Sequence, residues 1–167
     1  MWLDDDLPPE IVPRLEALCR EAESLAEESP DLGIAKFDEA FELLPEPREQ
    51  WLSATWILIA IGDIQYLWGR LSEARETFAS LVHFEGWHDN QFVHLRRGQI
   101  AYDFGNFEIA ANELALAFMA GGYEILETAD EKYAEFILSK LRSPEPPIDH
   151  PLARFHPATS VSRWKFW

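Results

Sequence analysis

The stretch Trp56–Phe78, WILIAIGDIQYLWGRLSEARETF, decides how this chain folds. It opens as an apolar run from Trp56 to Ile61, is broken by Gly62 and Asp63, and meets a second glycine, Gly69, seven residues later. The pattern then returns. Laid against RRGQIAYDFGNFEIAANELALA, it pairs Gly62 with Gly98, Tyr66 with Tyr102 and Gly69 with Gly105. Leu71 then pairs with Phe107, Ala74 with Ala110 and Phe78 with Leu114, always at an offset of 36. So many matches of residue class in one register define an internal repeat.

The physics of the repeated unit is helix, turn, helix. A glycine inside the first helix costs roughly 1 kcal/mol relative to alanine, a cost that close approach of the second helix would justify. The second glycine suits a left-handed turn that ends the first helix. Ala74 and Ala110 are expected where the two helices cross most closely, and Phe78 and Leu114 between one hairpin and the next. Helical spacing extends over most of the chain, near 9–28, 31–44, 47–68, 71–84, 90–104, 107–120 and 129–141. Pro47 suits a first helical turn, and Gly121-Gly122 suits the close of the sixth helix. Strand signals are nearly absent. From Ser143 onward five prolines in 25 residues and the loss of any period mark an extended arm.

The motif order resembles the tetratricopeptide repeat. In 55–88 the resemblance rests on Leu58, Ile61-Gly62, Gly69, Leu71, Ala74 and Phe78. In 91–124 it rests on Gly98, Gly105, Phe107, Ala110, Leu114 and Ala117, and in 14–47 on Gly33, Phe37, Ala40 and Pro45. His94 and Arg97 stand where the family is usually apolar. The resemblance implies an all-α fold, a right-handed superhelix of about three such hairpins within a helical domain at 1–142. A capping helix near 129–141 and a Pro-rich arm over 143–167 would complete it. LLPEP, TWILIAIGD and HLRRGQ are also similar to small bacterial tetratricopeptide proteins of polymorphic toxin loci, which implies an immunity role.

Thirty acids against fourteen bases give the chain a net charge of −16, and residues 1–50, with fifteen acids and four bases, hold −11 of it. Such a surface repels phosphate backbones and anionic membranes and steers a basic partner toward itself. No apolar run approaches the roughly 20 residues of a membrane span, and MWLDDDLPPE does not read as a secretory leader. A single cysteine, Cys19, excludes an internal disulfide and reads as a core residue. These features together lead us to expect a cytoplasmic protein. No nucleophile elbow, P-loop or dinucleotide motif occurs. His83, His88 and His94 lack the spacing of a metal-binding helix. We therefore expect no catalysis, no metal and no cofactor. Trp68 reads as core, whereas Trp2, Trp164 and Trp167 lie near the chain ends, where large apolar groups pack back or bind something.

In the resembling family, the concave face is built from recurrent sites on the first helix of each hairpin. By register these are Trp56, Ile59, Asp63 and Tyr66 in one repeat, and Phe92, Leu95, Gln99, Tyr102 and Asp103 in the next. Aromatic rings interleaved with carboxylates suit a segment carrying Lys or Arg. The function implied is protein binding through an acidic concave face, as by an immunity protein neutralising a basic toxin domain. The alternative is a chaperone-like or scaffolding adaptor for a secretion or assembly component.

Overall fold

A computed structural model of the chain describes residue 4 and residues 6–141. The arm over 143–167, with Trp164 and Trp167, and Trp2 lie outside the described residues. Within them the protein is all-helical: α1 (Val12–Ala26), α2 (Pro30–Glu42), α3 (Leu52–Leu67), α4 (Leu71–Ser80), α5 (Gln91–Asp103), α6 (Phe107–Glu127) and α7 (Glu131–Leu141). The helices fall into two compact units divided between His88 and Asp89, and each is described by itself. In the first, α1 packs on α2, α2 on α3 and α3 on α4; in the second, α5 packs on α6 and α6 on α7.

The glycines of the repeat take the places their chemistry demands. Gly69 and Gly105 have φ of 76° and 77°, a left-handed conformation that other residues adopt only at a cost. At the first turn the Arg70 N–H donates to the Gln65 carbonyl and the Gly69 N–H to the Tyr66 carbonyl. At the second, the Asn106 N–H donates to Ala101 and the Gly105 N–H to Tyr102. Both helices thus end in the same Schellman arrangement, which satisfies carbonyls the helix would otherwise leave unpaired.

Gly62 and Gly98 mark tight crossings. A Cβ on Gly62 would stand 2.8 Å from the Phe78 ring, and one on Gly98 would stand 2.6 Å from Leu114 Cγ. Phe78 and Leu114 therefore lie against the glycines of their own hairpins, where we had expected them between successive hairpins. The α1–α2 pair follows the same logic, since a Cβ on Gly33 would meet Ala26 Cβ at 2.6 Å. Phe37 and Ala40 of α2 are buried.

Two local expectations are corrected. Pro47 does not open the third helix: a 3-10 turn at Arg48–Gln50 follows it, Trp51 is extended, and α3 begins at Leu52. The cap of α3 comes from far away in sequence. Asp4 accepts hydrogen bonds from Leu52 N (2.8 Å), Ser53 N (3.0 Å) and Ser53 Oγ (2.6 Å). The expected close at Gly121-Gly122 is found: Gly122, at φ 62° and ψ −153°, breaks α6, and helical backbone resumes beyond it to Glu127. Trp68, expected in the core, is 41% exposed because it sits at the C-cap of α3, past the last turn.

Candidate functional site

The nine residues expected to face a partner separate into three groups. Ile59, Asp63, Phe92, Leu95 and Gln99 are buried, which corrects their assignment to an open face. The reason lies in the helices that carry them. Helix α3 is apolar around most of its circumference, and α5 is buried from Phe92 through Arg96. A helix covered on several sides offers no open stripe. Phe92 and Gln99 are moreover engaged by Arg96, whose guanidinium lies 4.9 Å from the Phe92 ring centroid and donates to Gln99 Oε1 at 2.7 Å.

Tyr102 and Asp103 are held by α7. Asp103 accepts from Lys132 Nζ at 2.7 Å and from Tyr133 Oη at 2.6 Å. The Tyr102 ring meets Phe107, Tyr133 and Phe136 edge-on, with centroids 5.1–5.4 Å apart. Edge-to-face contacts of this kind add to area burial, so α7 is seated by the residues that would otherwise have formed the face. Trp56 and Tyr66 remain half-buried on α3.

A polar cluster joins His94 and Arg97 of α5 to α6. Glu113 of α6 bonds His94 Nδ1 through Oε2 at 2.7 Å and Arg97 Nε through Oε1 at 2.9 Å. Side chains of His94 and Glu113 are about nine-tenths buried. Sequence reasoning singled out both His94 and Arg97 but missed the carboxylate between them.

Three cations of the first unit form ion pairs at its surface. Lys36 pairs with Glu21 and Glu39, Arg48 with Glu42 and Glu46, and Arg70 with Asp31 and Glu73. Each cation is thus shared by two carboxylates. The surplus is felt by neighbouring groups. Burial and then the Glu42 carboxylate raise the Asp38 pKa, and burial raises that of Glu23. Burial, followed by Glu23 and Glu16, pushes the buried Cys19 thiol up to about 12, which keeps it protonated and unreactive. Arg70 lowers the pKa of Asp31 by a hydrogen bond and by its charge.

Among the described residues no group of three or more His, Cys, Asp or Glu side chains could hold a metal ion. No helix among them is long and apolar enough to cross a membrane. No family model matches the chain, and no curated protein matches it.

Proposed function

We propose that the chain is a protein-binding module that receives a basic protein partner on its acidic surface, and that it serves in the cytoplasm as an immunity protein neutralising a basic toxin domain. The single observation that carries this reading is the carboxylate surplus on α1 and α2. Lys36 of α2 is already shared between Glu21 and Glu39, Arg48 just beyond α2 between Glu42 and Glu46, and Asp38 is raised in part by Glu42, four residues along the same helix. Like charges at that spacing repel, and Lys or Arg side chains of a partner would relieve the repulsion. Trp56 and Tyr66, half-buried on α3 of the same unit, supply aromatic anchors. A tetratricopeptide-like superhelix belongs to the same reading.

The test is capture of the partner from the native host, followed by binding kinetics at two salt concentrations. The expected partner is basic, and its association rate falls steeply as salt rises while dissociation changes less. Asp38→Asn with Glu42→Gln slows association, whereas Trp56→Ala and Tyr66→Ala hasten dissociation. An acidic partner, a nucleic acid, or kinetics indifferent to salt would overturn the reading.

A further inference from the structure

Helix α6 turns an apolar face to solvent. Ile109, Leu116 and Met119 are 53%, 46% and 79% exposed, and with exposed Asn112 they recur at the three- and four-residue spacing of one helical stripe. The opposite side, Ala110, Leu114 and Ala117, is buried. From Ile109 to Ala120 the only charged side chain is Glu113, and it points into the buried cluster.

The repeat supplies an internal control. Register sets Ile109, Asn112, Leu116 and Met119 against Glu73, Glu76, Ser80 and His83 of the α4 hairpin. The residues packed on the glycines, Phe78 and Leu114, are buried in both. The hairpin therefore folds with a polar outer face, and the apolar one on α6 answers some other need.

We propose that this face is the docking site of the chain's own segment Arg163–Trp167, RWKFW. Reach is ample. Leu141 ends α7, which packs on α6. The 22 residues from there to Arg163 can extend roughly 70 Å, against roughly 30 Å for the whole of α6. Composition matches as well. Trp164, Phe166 and Trp167 are rings for an uncharged apolar stripe, and the thioether of Met119 is a favourable neighbour for aromatic groups. Arg163 and Lys165 alternate with those rings, and exposed Glu108 and Glu124 flank the stripe in sequence.

The chain has two methionines, Met1 and Met119, so methyl-labelled methionine in the full-length protein isolates the Met119 signal, assigned with Met119→Leu. The expected result is a Met119 methyl resonance shifted upfield by ring currents at every dilution. It should move downfield in a Trp164→Ala/Phe166→Ala/Trp167→Ala variant whose circular dichroism is unchanged. A second measurement oxidises a Met119→Cys/Phe166→Cys chain, and the expected product is a cross-linked monomer. Cys19, buried with its thiol pushed up to about 12, stays silent. A methyl signal that the triple variant leaves in place overturns the proposal and leaves the face to a foreign partner. A shift that vanishes on dilution, with cross-linked dimers, overturns it in favour of a second copy of the chain.

Discussion

Hairpin α3–α4 sets Leu58 and Ile61 where hairpin α5–α6 sets His94 and Arg97, and Thr77 where the other sets Glu113. In the first, Thr77 Oγ1 donates to Gln65 Oε1 at 2.7 Å, a neutral contact between the helices. In the second a carboxylate is shared by His94 and Arg97. The outer faces are exchanged in the opposite sense: Glu73 and Glu76 face water on α4, Ile109, Leu116 and Met119 on α6. One register thus carries two arrangements of charge. Backbone geometry is set by the glycines and the small residues, and that leaves the remaining positions open to other demands.

The largest effect should come from the shared carboxylate. Glu113→Ala takes the carboxylate from buried His94 and from half-buried Arg97, and breaking a buried pair in this way costs about 3 kcal/mol. Thr77→Val, its counterpart, loses one neutral hydrogen bond, worth about 1 kcal/mol. Urea unfolding of the two variants compares them directly. The set His94→Leu/Arg97→Ile/Glu113→Thr, which copies the sibling hairpin, should cost less than Glu113→Ala alone, because no buried charge is left without its carboxylate. Equal losses for Glu113→Ala and Thr77→Val would break the contrast.

The crossings come next. An added Cβ at Gly98 would meet the Leu114 side chain at 2.6 Å and the Leu114 backbone nitrogen at 3.0 Å, whereas at Gly62 the three nearest atoms all belong to the Phe78 ring. A ring can pivot more easily than a helix backbone can move. Gly98→Ala should therefore cost about 2–3 kcal/mol and Gly62→Ala about 1–2 kcal/mol, within the usual range for overpacking. Thermal melts of the pair read the difference, and the reverse order would show that α5 and α6 yield more readily than α3 and α4. At the turns the hairpins should agree. No atom lies within 4 Å of a Cβ built on Gly69 or Gly105, so Gly69→Val and Gly105→Val feel backbone strain alone. Each should cost about 1–2 kcal/mol, and unchanged melting of both would remove the shared register.

These glycines are why the helical architecture is legible in the sequence. Positions 69 and 105 allow one cheap conformation at a helix end, and positions 62 and 98 allow one close neighbour, so spacing converts directly into geometry. The face offered to a partner was much less legible. Isoleucine, leucine and alanine surround α3 on most sides, so periodicity there marks no single buried stripe. Register placed Ile59 and Asp63 on a surface, but both are buried. Register placed Tyr102 and Asp103 on the same face, but the groups that engage them belong to α7 of the same chain. Glu113 was hidden because a glutamate on an acidic chain carries little information until its neighbours are known. The Asp4 cap was hidden because its helix begins 48 residues away.

That cap supplies the smallest contrast. Helix α5 begins conventionally, with Asn90 Oδ1 accepting from Phe92 N at 3.0 Å and Val93 N at 3.2 Å. Helix α3 borrows Asp4, whose two carboxylate oxygens take three donors. Truncating either cap to alanine should cost about 1 kcal/mol. The distinguishing term is charge, because a carboxylate at a helix N-terminus also interacts with the helix dipole. Asp4→Asn keeps an acceptor oxygen and loses the charge, so it should lose roughly 0.3–1 kcal/mol. Asn90→Asp should gain a smaller amount, because Asp89 stands beside it and repels the new anion. Both differences should fade in about 1 M salt, where the screening length falls to about 3 Å, while the alanine losses persist. Denaturant midpoints at low and high salt measure this. An Asp4→Asn loss indifferent to salt would mean that α3 is held by the geometry of the Asp4 hydrogen bonds, and that charge at a helix start does not separate the two hairpins.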